Sequence, residues 1–201
     1  MKKVFLTLIV VTTTVCAAIA QVNFGIKGGI GVYNISGDDA DNGTDSKVGV
    51  AAGAYVAIPI STMFAVTPEL QFCGQGAKET DGGETVKLNI NYINIPVMLQ
   101  YRNPSGFFAE TGPQIGFRSS AHLKGSGIDE DYKDVIKSTA FSWDFGIGYR
   151  SSVGIGINAR YALNLNSIAE DQDGQSFDIK NSGFQVGLFF EFGGKSGDAK
   201  K

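Results

Sequence analysis

The chain has 201 residues, a formal net charge of −3, 43% hydrophobic and 18% charged residues, and 27 glycines against one histidine and two cysteines. The aromatic and hydrophobic content argues against disorder, the lack of a glycine period of three argues against collagen, and the mild negative charge gives no footprint for nucleic acid. So few histidines and cysteines leave little from which to build a metal, cofactor or nucleophile site, and a β-rich protein without a cofactor is expected.

The chain opens on the basic Met1-Lys2-Lys3, followed by an apolar run of 12 residues, Val4 to Val15, and by the small residues of Ala18-Ile19-Ala20. That order reads as a secretory signal peptide over residues 1–20, with cleavage near Ala20. The run is too short for a spanning helix, which needs about 20 apolar residues. Cys16 does not make a lipoprotein site, because Val15 stands where a small residue is required. Cleavage would remove Lys2, Lys3 and Cys16, leaving a formal charge of −5 and Cys73 as the single thiol. An internal disulfide is then impossible.

From Gln21 onward the periodicity is two, the signature of half-buried strands. Val22 to Val32, Val48 to Ile58 and Phe64 to Phe72 each alternate apolar with polar or glycine. A fourth segment starts on Leu88, Ile90 and Tyr92, then changes phase to Ile93, Ile95, Val97, Leu99 and Tyr101, which predicts a β-bulge at Tyr92-Ile93. Four more follow: Phe107 to Phe117, Phe141 to Tyr149, Val153 to Leu165 and Phe184 to Phe192.

The connections alternate in length. Ser36–Ser46, Gly76–Lys87, Ser119–Ser138 and Ser167–Ser182 are long and polar, whereas Pro59–Thr62, Arg102–Gly106 and Ser151–Ser152 are tight. Every long loop then falls at one end of a meander and every tight turn at the other. The pattern predicts an all-β fold, an eight-stranded antiparallel up-and-down transmembrane β-barrel over residues 21–193, with a polar tail at 194–201. Closure is required in lipid, where an open edge would leave backbone groups unpaired.

A soluble barrel of the lipocalin type, holding a small apolar ligand, would share this periodicity with the faces exchanged. The polar face here is rich in glycine, which suits the crowded lumen of a narrow barrel better than a water-facing surface. Its charges balance: Glu69, Glu110, Asp144 and Glu191 against Lys27, Arg118, Arg150 and Arg160. Buried charges persist when paired, so these eight are expected to form an ion-pair network that plugs the lumen. Tyr33, Phe64, Tyr101, Phe107, Phe141, Tyr149, Tyr161, Phe184 and Phe192 fall toward segment ends, as interfacial girdles require.

The stretches FGIKGGIGVYNISG (Phe24 to Gly37), PELQF, YINIPVMLQY (Tyr92 to Tyr101) and GFFAETGPQIGF (Gly106 to Phe117) resemble the PorT-like outer membrane β-barrel family, as does the pair GIGYR and GIGINARYALNL. The resemblance covers nearly all of the mature chain. It implies an integral outer-membrane barrel of a Gram-negative bacterium with short periplasmic turns, in a family whose named member is associated with assembly of a secretion apparatus. For such a barrel, contact with outer-membrane lipid including lipopolysaccharide is expected, with the long extracellular loops as the place for a protein partner. No catalytic residues travel with these motifs. The chain departs from the usual barrel ending in that nine residues, Gly193 to Lys201, follow Phe192.

Catalytic patterns are sparse. His122 after Ser119 and Ser120 could form a Ser–His site for a lipid- or peptide-modifying enzyme, and Glu69 with Glu110 could pair as acid and base, but polar loop composition and ion pairing account for both. Gly25 to Gly31 precedes no helix and is no dinucleotide loop. The acidic stretches Gly37 to Asp45, Asp129-Glu130-Asp131 and Glu170 to Asp173 lack the bidentate acid of a calcium loop. No metal site is expected, and Cys73 is expected to be a small lumen-facing residue.

Overall fold

The computed structural model describes residues 22–37, 45–81, 84–125, 128–131, 133, 135–170 and 178–192. The expected signal peptide and C-terminal tail, and most of the first and last acidic stretches, lie outside these residues. The described chain forms β1 (Asn23–Ser36), β2 (Asp45–Pro59), β3 (Phe64–Asp81), β4 (Glu84–Arg102), β5 (Phe107–Gly125), β6 (Ile128–Asp131), β7 (Thr139–Arg150), β8 (Ile155–Asn164) and β9 (Lys180–Phe192). Each wall strand pairs antiparallel with its neighbours, and β1 against β9, from Phe24↔Phe192 to Ser36↔Lys180, closes an eight-stranded barrel. The ninth strand, β6, lies outside the wall and pairs only with the outer end of β5.

Side-chain direction decides the solvent. Large apolar residues point outward around the whole wall, among them Ile30 at 58% exposed, Ile147 at 66% and Leu188 at 63%. Charged and amide side chains such as Glu69, Glu110, Arg160 and Gln185 are buried inside. This is the reverse of a lipocalin, so the soluble ligand-binding reading is set aside. At the tight-turn end, Phe64 meets Tyr101 with ring centroids 5.4 Å apart, and Phe107 meets Tyr149 at 5.0 Å. Tyr33 does not belong to the girdle: it shares the inward parity of Gly31 and is 1% exposed. Its ring lies over Gly31 and Gly183, where a Cβ would come within 2.7 and 2.3 Å of it. Those glycines are present because a ring crosses the lumen above them.

Two expectations about the outer half need correcting. Gly76–Lys87 is not a long loop, since β3 and β4 continue as a ladder to Asp81↔Glu84. Much of Ser119–Ser138 is likewise strand, with β5 reaching Gly125 and β6 turning back along it. The predicted phase change in β4 is also absent. Its pairing with β3 runs unbroken through Cys73↔Tyr92 and Phe72↔Ile93. The bulge lies opposite, where Ser119 of β5 is extra between the pairs Asn91↔Ser120 and Tyr92↔Arg118. Leu88, Ile90 and Tyr92 keep the inward parity of β4, and what changes is the interior, which is apolar at this level. Ile90, Tyr92 and Ala121 pack there with Ile136 and Ile168 from the two long connections after β6 and β8. Those connections are tied across the outer mouth by an Ile136↔Ala169 bridge and by Lys137 N–H donating to the Ile168 carbonyl at 2.6 Å.

Candidate functional site

The lumen gathers charge in its middle and in the half toward the tight turns. Arg160 on β8 is 1% exposed and lies between two carboxylates. Its Nη1 and Nη2 donate to Glu69 Oε2 and Oε1, both at 2.9 Å, a fork-to-fork contact from β8 to β3. Its Nε donates to Glu110 Oε1 on β5 at 3.0 Å. Lys27 of β1 reaches Glu69 Oε2 at 2.6 Å, and Gln71 Nε2 donates to the same oxygen. Two acids and two bases from four strands thus neutralise one another with little water. The Arg160–Glu69 contact uses the planar geometry that makes Arg–carboxylate pairing strong.

Nearer the tight turns a second cluster centres on Glu191. Arg150 Nη1 donates to its Oε1, and Arg102 Nη2 to its Oε2 at 3.1 Å. Tyr55 Oη donates to Oε2 at 3.3 Å and Asn23 Nδ2 to Oε1 at 3.2 Å. Arg102 also donates to Gln100 Oε1 at 2.7 Å, and Gln100 Nε2 donates to Glu110 Oε2 at 2.6 Å, so the clusters form one chain. The cavity between them, bounded by Lys27, Tyr55, Glu110, Arg102 and Phe189, holds about 30 Å³. That is room for one or two waters.

Of the eight residues expected here, Lys27, Glu69, Glu110, Arg150, Arg160 and Glu191 lie in these contacts. Asp144 is inside but takes a hydrogen bond from Ser142 Oγ at 2.8 Å instead of an ion pair, and its Oδ2 has no hydrogen-bond partner. Arg118 is not part of the network. It shares the inward face of β5 with Glu110, yet stands eight residues further along, roughly 26 Å of strand. Its Nη1 donates to the Lys133 carbonyl at 2.6 Å in the outer connection. Arg102, by contrast, falls in the tight turn Arg102–Gly106 expected from the sequence, yet is a central member. Its parity with Gln100, Met98 and Asn94 on β4 is the signal that identifies it.

The remaining candidates are dispersed. His122 is on β5 beside Ser120, on the outward face; Ser120 Oγ accepts from Asn91 Nδ2 at 2.8 Å, and Ser119 Oγ donates to the Asn91 carbonyl at 3.1 Å. Cys73 is fully buried in the lumen, with Gln71 Oε1 3.7 Å from its sulfur. Asp131 of β6 is exposed, and the Lys133 ammonium and N–H that it accepts hold its carboxyl below the ordinary aspartate range. Among the described residues, no cluster of three or more His, Cys, Asp or Glu could hold a metal ion.

Residues 18–170 match the model of a family described as "Outer membrane protein beta-barrel domain". A search of curated protein sequences found no match. Among solved structures, the fold is similar to Neisserial surface protein A, with a TM-score of 0.60, 11% identity, and coverage of 83% of this chain and 96% of that one. It is also similar to Ail, the attachment invasion locus protein of Yersinia pestis, solved with the heparin analogue sucrose octasulfate; there the TM-score is 0.51 with 15% identity, covering 85% of this chain and 99% of Ail. At these identities the likeness is one of fold.

Proposed function

The chain belongs to the outer membrane protein beta-barrel domain family, and from that premise we propose a non-enzymatic integral barrel of the bacterial outer membrane, with a plugged lumen, that acts through its outer end. The observation that carries this reading is the Arg160 clamp, which joins β8 to β3 and β5 across the lumen at 1% exposure. The small cavities along the interior, about 30, 20 and 20 Å³, support it. They are far below the aqueous channel that barrels of about 16–18 strands enclose. With the interior taken up by ion pairs, the surfaces left for biological contact are the lipid-facing wall and the extracellular connections. Binding or assembly roles through those connections, and contact with lipid including lipopolysaccharide, follow from that division. The resemblance to PorT-like members favours assembly of a secretion apparatus as the setting. Export would use the signal over residues 1–20, and N-terminal sequencing of the mature protein should begin at Gln21.

Planar-bilayer recording tests the plug. The full-length protein should insert without steady conductance, and porin-like conductance would overturn the reading.

A further inference from the structure

Three of the chain's five prolines stand inside wall strands: Pro68 in β3, Pro96 in β4 and Pro113 in β5. Proline has no N–H to give to a ladder, so within sheets it keeps to edges, strand starts and bulges. A closed barrel has no edge, and each of these residues interrupts a seam. β2 and β3 pair as far as Tyr55↔Glu69 and resume at Ile58↔Val66, passing over Val56 and Pro68. β3 and β4 break between Pro68↔Val97 and Gln71↔Asn94, across Glu69 and Pro96. β4 and β5 break between Pro96↔Gln114 and Leu99↔Thr111, across Val97 and Pro113. In each seam the pairs lost are those that one bond, from the proline nitrogen to the carbonyl opposite, would have closed. The carbonyls of Val56, Glu69 and Val97 therefore lose their ladder donors, and all three lie on two adjacent rungs of the wall.

The two seams that flank the β3–β4 hairpin are interrupted a second time further out, between Ser46 and Ala51 of β2 and at Ser119 of β5. The other five seams, β1–β2, β1–β9, β5–β7, β7–β8 and β8–β9, pair without a gap. From β5 through β7, β8, β9 and β1 to β2 the wall is one continuous ladder, and β3 and β4 are the strands it holds least. Side chains hold them across the lumen. Arg160 of β8 and Lys27 of β1 both grip Glu69 of β3, at 2.9 and 2.6 Å. Glu191 of β9 accepts from Arg102 of β4 at 3.1 Å. Glu69 is also the residue that faces Pro96 across the broken β3–β4 seam, so the clamp reaches the wall where its ladder is missing.

In lipid a backbone group without a partner is costly, because no water replaces the lost bond. Three such losses fall on adjacent seams and none on the other five, which marks a part of the wall built to open. We propose that the β3–β4 hairpin is a movable section of the barrel wall and that the lumen ion pairs are its latch, fastening Glu69 and Arg102 to the continuous ladder. The network then does more than fill the lumen: it keeps this section closed. The latch rests on the outer-membrane placement proposed above, since in water the freed carbonyls would simply be solvated.

The test is amide hydrogen exchange of the full-length protein in detergent micelles, read strand by strand. In wild type, residues 64–72 and 93–101 should exchange faster than residues 142–150, 155–163 and 184–192. Pro68→Val/Pro96→Ala/Pro113→Val returns the three donors and leaves the lumen charges in place, and it should slow exchange in the hairpin by about tenfold per restored bond. Arg160→Ala should speed exchange in the hairpin by about tenfold or more and move the other strands much less. Added to the proline variant, the same substitution should lose most of that selective effect. Should Arg160→Ala not fold, Arg102→Gln releases β4 alone and carries the same expectation. Equal exchange in all strands of the wild type would overturn the proposal, as would a proline variant that exchanges like wild type. So would a latch substitution that raises exchange equally around the wall, which would make the ion pairs general stabilisers. Failure of the wild type to fractionate with outer membranes would count against the placement, while exchange in micelles would still read out the hairpin.

Discussion

The two halves of the lumen are built on different chemistry. Toward the tight turns, the interior is a chain of charges running from Glu191 through Arg102, Gln100 and Glu110 to Arg160 and Glu69. Toward the outer mouth it carries an apolar cluster, Ile90 and Tyr92 under Ile136 and Ile168, beside a single buried amide pair in which Asn181 donates to Gln75. The first half can be filled by side chains of the wall alone, because Arg and Glu are long enough to meet across a narrow barrel. In the second half, short apolar side chains from the wall meet residues brought in by the long connections. One region packs wall side chains against one another across the lumen, and the other packs the wall against residues of the outer connections.

That difference sets where substitutions should act. Arg160→Ala would strand Glu69 and Glu110 without their shared cation, and breaking a buried pair costs about 3–5 kcal/mol. Denaturant unfolding of the refolded barrel should show the loss, with Arg160→Lys recovering part of it. An unchanged midpoint would mean that the charged half does not hold the wall together. Gly183→Val places a side chain where the Tyr33 ring lies, with the first carbon already within 2.3 Å of it. Overpacking of this kind costs about 1–3 kcal/mol, and pairing it with Tyr33→Ala should relieve the clash.

In the outer half the expected signature is local. Ile168→Asp should undock the connections, so that limited proteolysis cuts between β6 and β9 while the gel shift of the barrel persists. A collapse of the whole barrel would erase the distinction between the halves. Arg118→Gln is the mildest case. It removes a hydrogen bond to the Lys133 carbonyl and no ion pair within the network, so a change of about 1 kcal/mol or less is expected in the same unfolding assay.

The same contrast explains what could be read in the chain. Strand number, tight turns and the outward apolar face follow from period two and loop spacing, which are properties of local sequence. Six of the ion-pairing residues were legible because an inward charge in a lipid-facing wall must find a partner. Arg102 escaped notice by its position beside a turn, although its parity with Gln100 places it inside. Arg118 was misplaced because parity gives the face but not the height, and eight residues of strand separate it from Glu110. Leu88, Ile90 and Tyr92 looked like a phase change because an apolar interior was not expected. The outer core depends on Ile136 and Ile168, two long-range contributions that no periodicity announces. Tyr33 shows the same limit, since the glycines it covers belong to other strands as well as its own.

The most direct measurement is fractionation of the expressed full-length protein, followed by gel migration of unboiled and boiled samples. The account predicts a carbonate-resistant outer-membrane protein that migrates differently when unboiled, as a closed barrel with its apolar face in lipid must. A soluble protein with identical migration before and after boiling would contradict it.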